Sequence, residues 1–424
     1  MAVVNMHIVP KLTPAEVALV DTYEARLSDL PGDAGTLMAR DRAVEAIKGG
    51  LPTRRVESWH YTDLRRLMAE VPGPGAPVAP RALPPIVADS VVLPFLAGTV
   101  GKLPTVDGAK LRRLNTELRD GALATLLELR GNDDAVGAIN TALVADGVGI
   151  EIPAESAVAA PIELQNLHAG GQTHVLYTAN AGVGAKAVIV ERHSGEGAAL
   201  VSAVSHLTVA DGADVTWIIV QDHTDTATHL GQLNATIGKD ARLTVFVMNT
   251  GARLVRQELR IRAAGEGCQF TLRGVNLLAG ATHCDVTMVL DHVAYGATST
   301  EVVRNVVLDK AHGVFQGQIR VAREAQKTDA KMACNTLLLS DDADFSVKPE
   351  LEIFADDVAC GHGATVAEID RSHLFYLMAR GVTEKEARGL LVKAFLAEVI
   401  EELGDERIVE PLEARLDAWF ATHG

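Results

Sequence analysis

Ala185-Lys186-Ala187-Val188-Ile189-Val190 is echoed by Ala213-Asp214-Val215-Thr216-Trp217-Ile218, then by Ala241-Arg242-Leu243-Thr244-Val245-Phe246 and Cys268-Gln269-Phe270-Thr271-Leu272-Arg273. The first members stand 28, 28 and 27 residues apart, and Gly184, Gly212, Gly238 and Gly267 lie one to three residues before them. A second series falls between: Ser205-His206-Leu207-Thr208-Val209, Gln232-Leu233-Asn234-Ala235-Thr236 and Gln257-Glu258-Leu259-Arg260-Ile261. Alternating apolar and polar residues rich in β-branched types describe strands. Two interleaved strand series at a fixed period describe a solenoid in which each coil gives two strands joined at glycine corners. Successive coils then stack ~4.8 Å apart with parallel pairing. A β-sandwich would be antiparallel and gives no reason for two alternating series. A left-handed hexapeptide helix would show a six-residue rhythm, and none is present. The sequence therefore predicts a mainly β fold: a right-handed parallel β-helix with two strands per turn, the hand following from strand twist.

Working outward, the alternating pattern begins near Ile150 and the register drifts after Cys268, with further strands expected over 286–290, 300–303, 315–321 and 351–354. Residues 155–370 form the expected β-helix core, flanked by an N-terminal helical region with a connector (1–154) and a C-terminal helical region (371–424). Thr13-Pro14-Ala15-Glu16 has the form of a capping box, with Val17, Val20, Tyr23 and Leu27 at helical spacing. Further helices are expected over 37–47, 111–129 and 135–144, the last closed by Gly147; 72–85 reads as a Pro/Gly/Ala connector. Past the core, 370–380 reads as a short helix ended by Gly381. Thr383-Glu384-Lys385-Glu386 caps a longer helix with a stripe of Ala387, Leu390, Leu391, Ala394, Phe395 and Val399, and Pro411 starts a last helix. The simplest use of these helices is to cover the open end of the solenoid.

Composition narrows the function classes. A net charge of −16 argues against binding nucleic acid or an anionic membrane surface. Four cysteines without a CxxC pair do not make a disulfide framework, which fits a reducing cytoplasm. No signal segment opens the sequence and no apolar run reaches the ~20 residues that span a bilayer. Phosphate-loop, dinucleotide, zincin and nucleophile-elbow motifs are absent, so nothing marks the chain as an enzyme.

One stretch carries candidate chemistry: Asp357-Val358-Ala359-Cys360-Gly361-His362-Gly363-Ala364-Thr365-Val366. Residues two apart on a strand share a face, so Cys360 and His362 present a thiol and an imidazole side by side, and Gly361 and Gly363 leave the backbone bare. Two ligands do not complete a zinc or iron–sulfur site, so a second chain must supply the rest. The bland alternative is an ordinary strand end. Cys268 and Cys334 sit among apolar residues and read as core thiols, and adjacent His283 and Cys284 point to opposite faces.

Cys360-Gly361-His362-Gly363-Ala364-Thr365 resembles the terminal motif of the SufB/SufD family of iron–sulfur cluster assembly scaffolds. Gly363 stands where SufB-type chains carry Glu, which makes the chain SufD-like. Glu57-Ser58-Trp59-His60-Tyr61-Thr62-Asp63-Leu64, Tyr295-Gly296-Ala297-Thr298-Ser299-Thr300 and Arg380-Gly381-Val382-Thr383-Glu384-Lys385-Glu386-Ala387-Arg388 also look like family segments. The simplest role for the first is packing by Trp59 and Tyr61, with Thr62 or Asp63 capping a short helix. The resemblance implies a non-catalytic scaffold subunit of a SufBCD-type complex that pairs with a SufB-like subunit and binds a SufC-like ABC-type ATPase. The ATPase region would include Arg371, His373, Phe375, Tyr376, Arg380 and Glu384. Cys360 and His362 would handle iron or cluster at the partner interface as metal ligands shared with that chain. No tightly bound cofactor is implied, only iron or an iron–sulfur cluster held in passing. A homodimer is the other assembly this suggests. Two competing readings are a SufB-like principal scaffold, which would need more thiols, and a polysaccharide-acting β-helix enzyme. The enzyme would need an export signal and would use acidic corners such as Asp341-Asp342-Ala343-Asp344 with calcium.

Overall fold

The computed structural model describes residues 11–75 and 81–423; part of the expected connector, 76–80, lies outside the described residues. Two parallel ladders build a β-solenoid of about 8 turns. Ladder A runs from Asp146–Ile152 through the later parts of Ile162–Ala181 and Lys186–Val209. It continues through Thr228–Ile237, Leu254–Ala263, His283–His292 and His312–Val321 to Asp344–Ile353. Ladder B runs from Val91–Leu96 through the earlier parts of the same two long strands. It continues through Asp214–Gln221, Arg242–Asn249, Gln269–Leu278, Thr298–Val307 and Asp329–Leu338 to Ala359–Ala367. The ladders thus start with strands that precede residue 155.

The first repeat series is in true register: Lys186, Asp214, Arg242 and Gln269 pair directly. The register does not drift after Cys268, because Thr298, Asp329 and Ala359 continue the same row. The second series needs correction. Ser205 pairs with Leu233 and Leu233 with Leu259, so its alignment was out by one residue and then by two. The cause is physical: the outward row Val204, Gln232, Glu258 is itself buried under N-terminal segments, so polar and apolar no longer mark out and in. Two residues before most ladder B strands the corner takes a left-handed residue. Gly184, Gly212, Gly267 and Gly296 supply it at φ 66 to 68°, and Asp240, not Gly238, supplies it at φ 52°.

On the N-terminal side lie α1 (Pro14–Arg26), α2 (Ala34–Lys48), α3 (Leu64–Leu67), α4 (Leu114–Arg119) and α5 (Ala135–Leu143). Thr13 and Glu16 form the expected capping box, and Asp33 caps α2 three residues before the expected start. Trp59 is fully buried, donates to the Asp133 carbonyl at 3.0 Å and carries the Arg256 guanidinium 4.3 Å from its ring. Thr62 bonds His283 at 2.9 Å and also Asp285, and Asp63 caps α3. The Trp-Tyr-Thr-Asp segment is therefore an anchor onto ladder A. The expected helix over 111–129 is not formed. Lys110–Arg113 is a strand antiparallel to Asp146–Ile152, α4 is six residues long, and Gly121 turns the chain away at φ 72°. Its leucines at 114, 118, 123 and 127 still share one buried cluster, which explains their helix-like spacing. Gly147 lies in a strand rather than closing a helix; a Cβ there would fall 2.0 Å from the Leu176 carbonyl.

The C-terminal side holds α6 (Arg371–Met378), α7 (Glu384–Glu401) and α8 (Glu406–His423). These helices do not cover the end of the solenoid. Val392, Leu396, Val399 and Ile400 lie on the outer face of ladder B against residues such as Ile218 and Phe246. The buried stripe of α7 is accordingly rotated from the expected one, leaving Leu390 and Ala394 exposed. α8 begins five residues before Pro411, which lies inside it. Among the described residues none covers the strand Ala359–Ala367 of the last coil.

Candidate functional site at the open end

Cys360 and His362 lie on Ala359–Ala367, the final ladder B strand, in register with Ala330 and Met332. Ala330 and Met332 are core residues facing the solenoid interior. Cys360 and His362 therefore occupy interior-facing positions in a coil on which no further strand stacks among the described residues. Cys360 is half-buried against the core and His362 is exposed. Burial pushes the Cys360 thiol above its ordinary range, opposed by a backbone hydrogen bond at Ala330 and reinforced by Asp329 and Glu301. The shift favours the thiol over the thiolate, and ligation of a metal would have to displace the thiol proton. Among the described residues no three His, Cys, Asp or Glu side chains converge as a metal site. The pair alone is an incomplete ligand set.

The two final strands differ in a way that bears on pairing. Asp344–Ile353 contains Pro349, Lys348, Glu350 and Glu352, features that blunt an edge strand. Ala359–Ala367 has no proline and no charged residue, and is exposed almost throughout. A Cβ at Gly361 or Gly363 would meet nothing, so nothing within this chain demands glycine there.

The other sequence-derived residues fall elsewhere. α6 buries none of its residues; Phe375 is 73% and Tyr376 55% exposed, and Arg380 stacks on the Tyr376 ring at 3.5 Å. Arg371 and His373 are exposed on the same helix, and Glu384 pairs with Arg388 at 3.0 Å. Cys268, Cys284 and Cys334 are buried core thiols, and His283 faces away from Cys284 toward Thr62.

Sequence reading missed what lies inside the solenoid. Asn166, His193, Gln221, Asn249, Asn276 and Asn305 stack one per coil on the inward face of ladder B. Asn249 donates to Asn276, and Asn276 to Asn305, both at 2.7 Å. The signal was available: these polar residues recur at the same period as the apolar repeat. Glu301 stands two coils beneath His362 in one inward row, with Met332 between. It is fully buried without a hydrogen-bond partner, and burial pushes its carboxyl up to about 8.

These features define a class: a parallel β-solenoid flanked by helices, with a thiol and an imidazole side by side on the last strand of one ladder. Comparison with known proteins gives the family. The model described as SUF system FeS cluster assembly, SufBD core domain, matches residues 165–395, more than half of the chain. The iron–sulfur cluster assembly protein SufD of Escherichia coli (strain K12) is 28% identical over 407 residues, covering 92% of this chain and 94% of that protein. An iron–sulfur cluster assembly SufBD family protein of Synechocystis is 27% identical over 382 residues, 83% of this chain and 84% of that protein. The chain belongs to the SufBD family of iron–sulfur cluster assembly proteins and is SufD-like within it.

Proposed function

We propose that this chain is the non-catalytic SufD-like subunit of a SufBCD-type complex, joined to a SufB-like subunit through its open end and to a SufC-like ATPase through α6 and the start of α7. The observation that carries this reading is the uncharged, unpaired edge of Ala359–Ala367. Addition of a partner's strand would satisfy its free backbone groups and extend ladder B into the second chain. The partner's ligands would then stand beside Cys360 and His362, and together they would hold iron or a nascent cluster as cargo. Thiolate and imidazole suit iron, and the metal itself would drive off the Cys360 proton. Exposed Phe375 and Tyr376 on a helix that buries nothing suit a second protein surface. A second copy could add to the same edge. The small number of accessible thiols, Cys360 alone being even half-exposed, favours the SufD-like reading over a principal scaffold. Family membership leaves the polysaccharide reading without support.

Co-expression of the tagged chain with SufB-like and SufC-like proteins tests both contacts separately. Val366→Lys, a charge in the exposed edge strand, is expected to lose the SufB-like chain and keep the ATPase. Phe375→Asp is expected to do the reverse. Retention of both partners by both variants would overturn the assignment.

A further inference from the structure

The N-terminal segments do more than anchor. Between them and the outer face of ladder A lies a cleft of about 570 Å³ that the family reading does not use. Its walls carry Arg130, Arg256, Arg260, Arg262 and Arg320, a concentration of positive charge in a chain whose net charge is −16. Three of these guanidinium groups are matched by carboxylates. Arg256 is held by Asp285 at 2.6 Å and Glu258 at 3.1 Å, and Arg260 by Glu258 at 2.9 Å and Asp134 at 3.3 Å. Arg320 is held by Glu352 at 3.2 Å and Asp291 at 3.7 Å. Among the described residues Arg130 and Arg262 have no carboxylate within ion-pair reach. The lining carboxylate Asp133 is engaged by the Ser58 hydroxyl at 2.5 Å.

His206 supplies a third donor. Arg130 donates from Nη2 to His206 Nδ1 at 3.3 Å. A guanidinium can only donate, so the imidazole proton sits on Nε2. That Nε2 is buried and has no partner, and His206 is among the residues lining the cleft. A buried donor left unmatched is costly, and an anion reaching it from the cleft would satisfy it. Burial, with Arg130 beside it, holds the His206 imidazole down to about 4, so at neutral pH it stays a neutral donor. Burial and the neighbouring Arg260 likewise hold the Arg130 guanidinium below its ordinary range.

We propose that this cleft binds a small molecule bearing a phosphate group, received by Arg130, Arg262 and the Nε2–H of His206. The three groups donate and none accepts, which suits an oxyanion. The volume lies within the range of small-molecule sites and leaves room beyond the phosphate itself. The site lies on ladder A near the roof, whereas the open end lies at the last coil of the solenoid, so the two stand or fall separately.

The test is calorimetric titration of the full chain with sodium pyrophosphate at low ionic strength, with citrate as a second anion. Saturable one-to-one binding of pyrophosphate is expected. Arg262→Gln, an exposed position whose loss should leave the fold intact, is expected to weaken it about tenfold or more, the worth of a charge-assisted hydrogen bond. Arg130→Gln is expected to act in the same direction, and Arg242→Gln, on the other ladder and paired with Asp214, to change nothing. No saturable binding, equal affinity in the Arg262→Gln and Arg242→Gln proteins, or tighter binding of citrate than of pyrophosphate would each overturn the proposal.

Discussion

The two ends of the solenoid are finished differently. At the N-terminal end, Lys110–Arg113 runs antiparallel along the first ladder A strand and Thr99–Val100 along the first ladder B strand. α4 and the turns after it then bury Leu114, Leu118, Leu123 and Leu127. At the C-terminal end one edge strand is protected only by its own proline and charges, and the other, Ala359–Ala367, is not protected at all. A parallel stack has unpaired backbone groups at both ends by construction. This molecule satisfies them with its own chain at one end and leaves them available at the other. The C-terminal helices, which the sequence suggests as a cap, lie instead on the flank, with α7 and α8 packed on the outer face of ladder B.

The comparison can be broken by single substitutions. Leu114→Ala, within the covered end, is expected to cost about 2–4 kcal/mol, as large-to-small core changes do. Val366→Ala, within the open end, is expected to cost under about 0.5 kcal/mol, as exposed positions do. Denaturant titration of both variants measures this, and comparable losses would mean that the last coil is as well packed as the first.

A smaller effect concerns the interior near the open end. The Glu301 carboxyl is raised to about 8 in the folded protein, against about 4.5 when unfolded. Between these values the folded state holds a proton that the unfolded state has lost, so Glu301 makes stability fall as pH rises from about 5 to 8. Glu301→Gln removes that dependence. The variant is expected to gain up to a few kcal/mol over the parent at pH 8.5 and little at pH 5. Thermal unfolding at the two pH values checks it, and an equal shift at both would show that Glu301 is not the titrating group.

Ladder B was legible because its repeats open on outward Lys186, Asp214, Arg242 and Gln269 beside inward Ala187, Val215, Leu243 and Phe270, and its corners mostly carry glycine. Ladder A was legible as strands but not in register, since the roof over it hides the inward–outward contrast that register is read from. The helix expected over 111–129 failed for a related reason. Leucines at 114, 118, 123 and 127 do share a face, but the face is assembled from a short helix and turns. That Cys360 and His362 share one face of a strand was legible through strand parity. The cleft with Arg130, His206 and Arg262 was not, because it brings together residues separated by more than a hundred positions on a surface that only folding creates.

Under the proposed function, Ala359–Ala367 is the edge strand that receives a partner's strand. Hydrogen–deuterium exchange of amides 359–367, alone and with the SufB-like partner, tests it most directly. Rapid exchange of the outward-facing amides is expected in the free chain, with slowing by about tenfold or more in the complex and less change in the strand Asp344–Ile353. A stable complex in which residues 359–367 exchange as fast as in the free chain would contradict it.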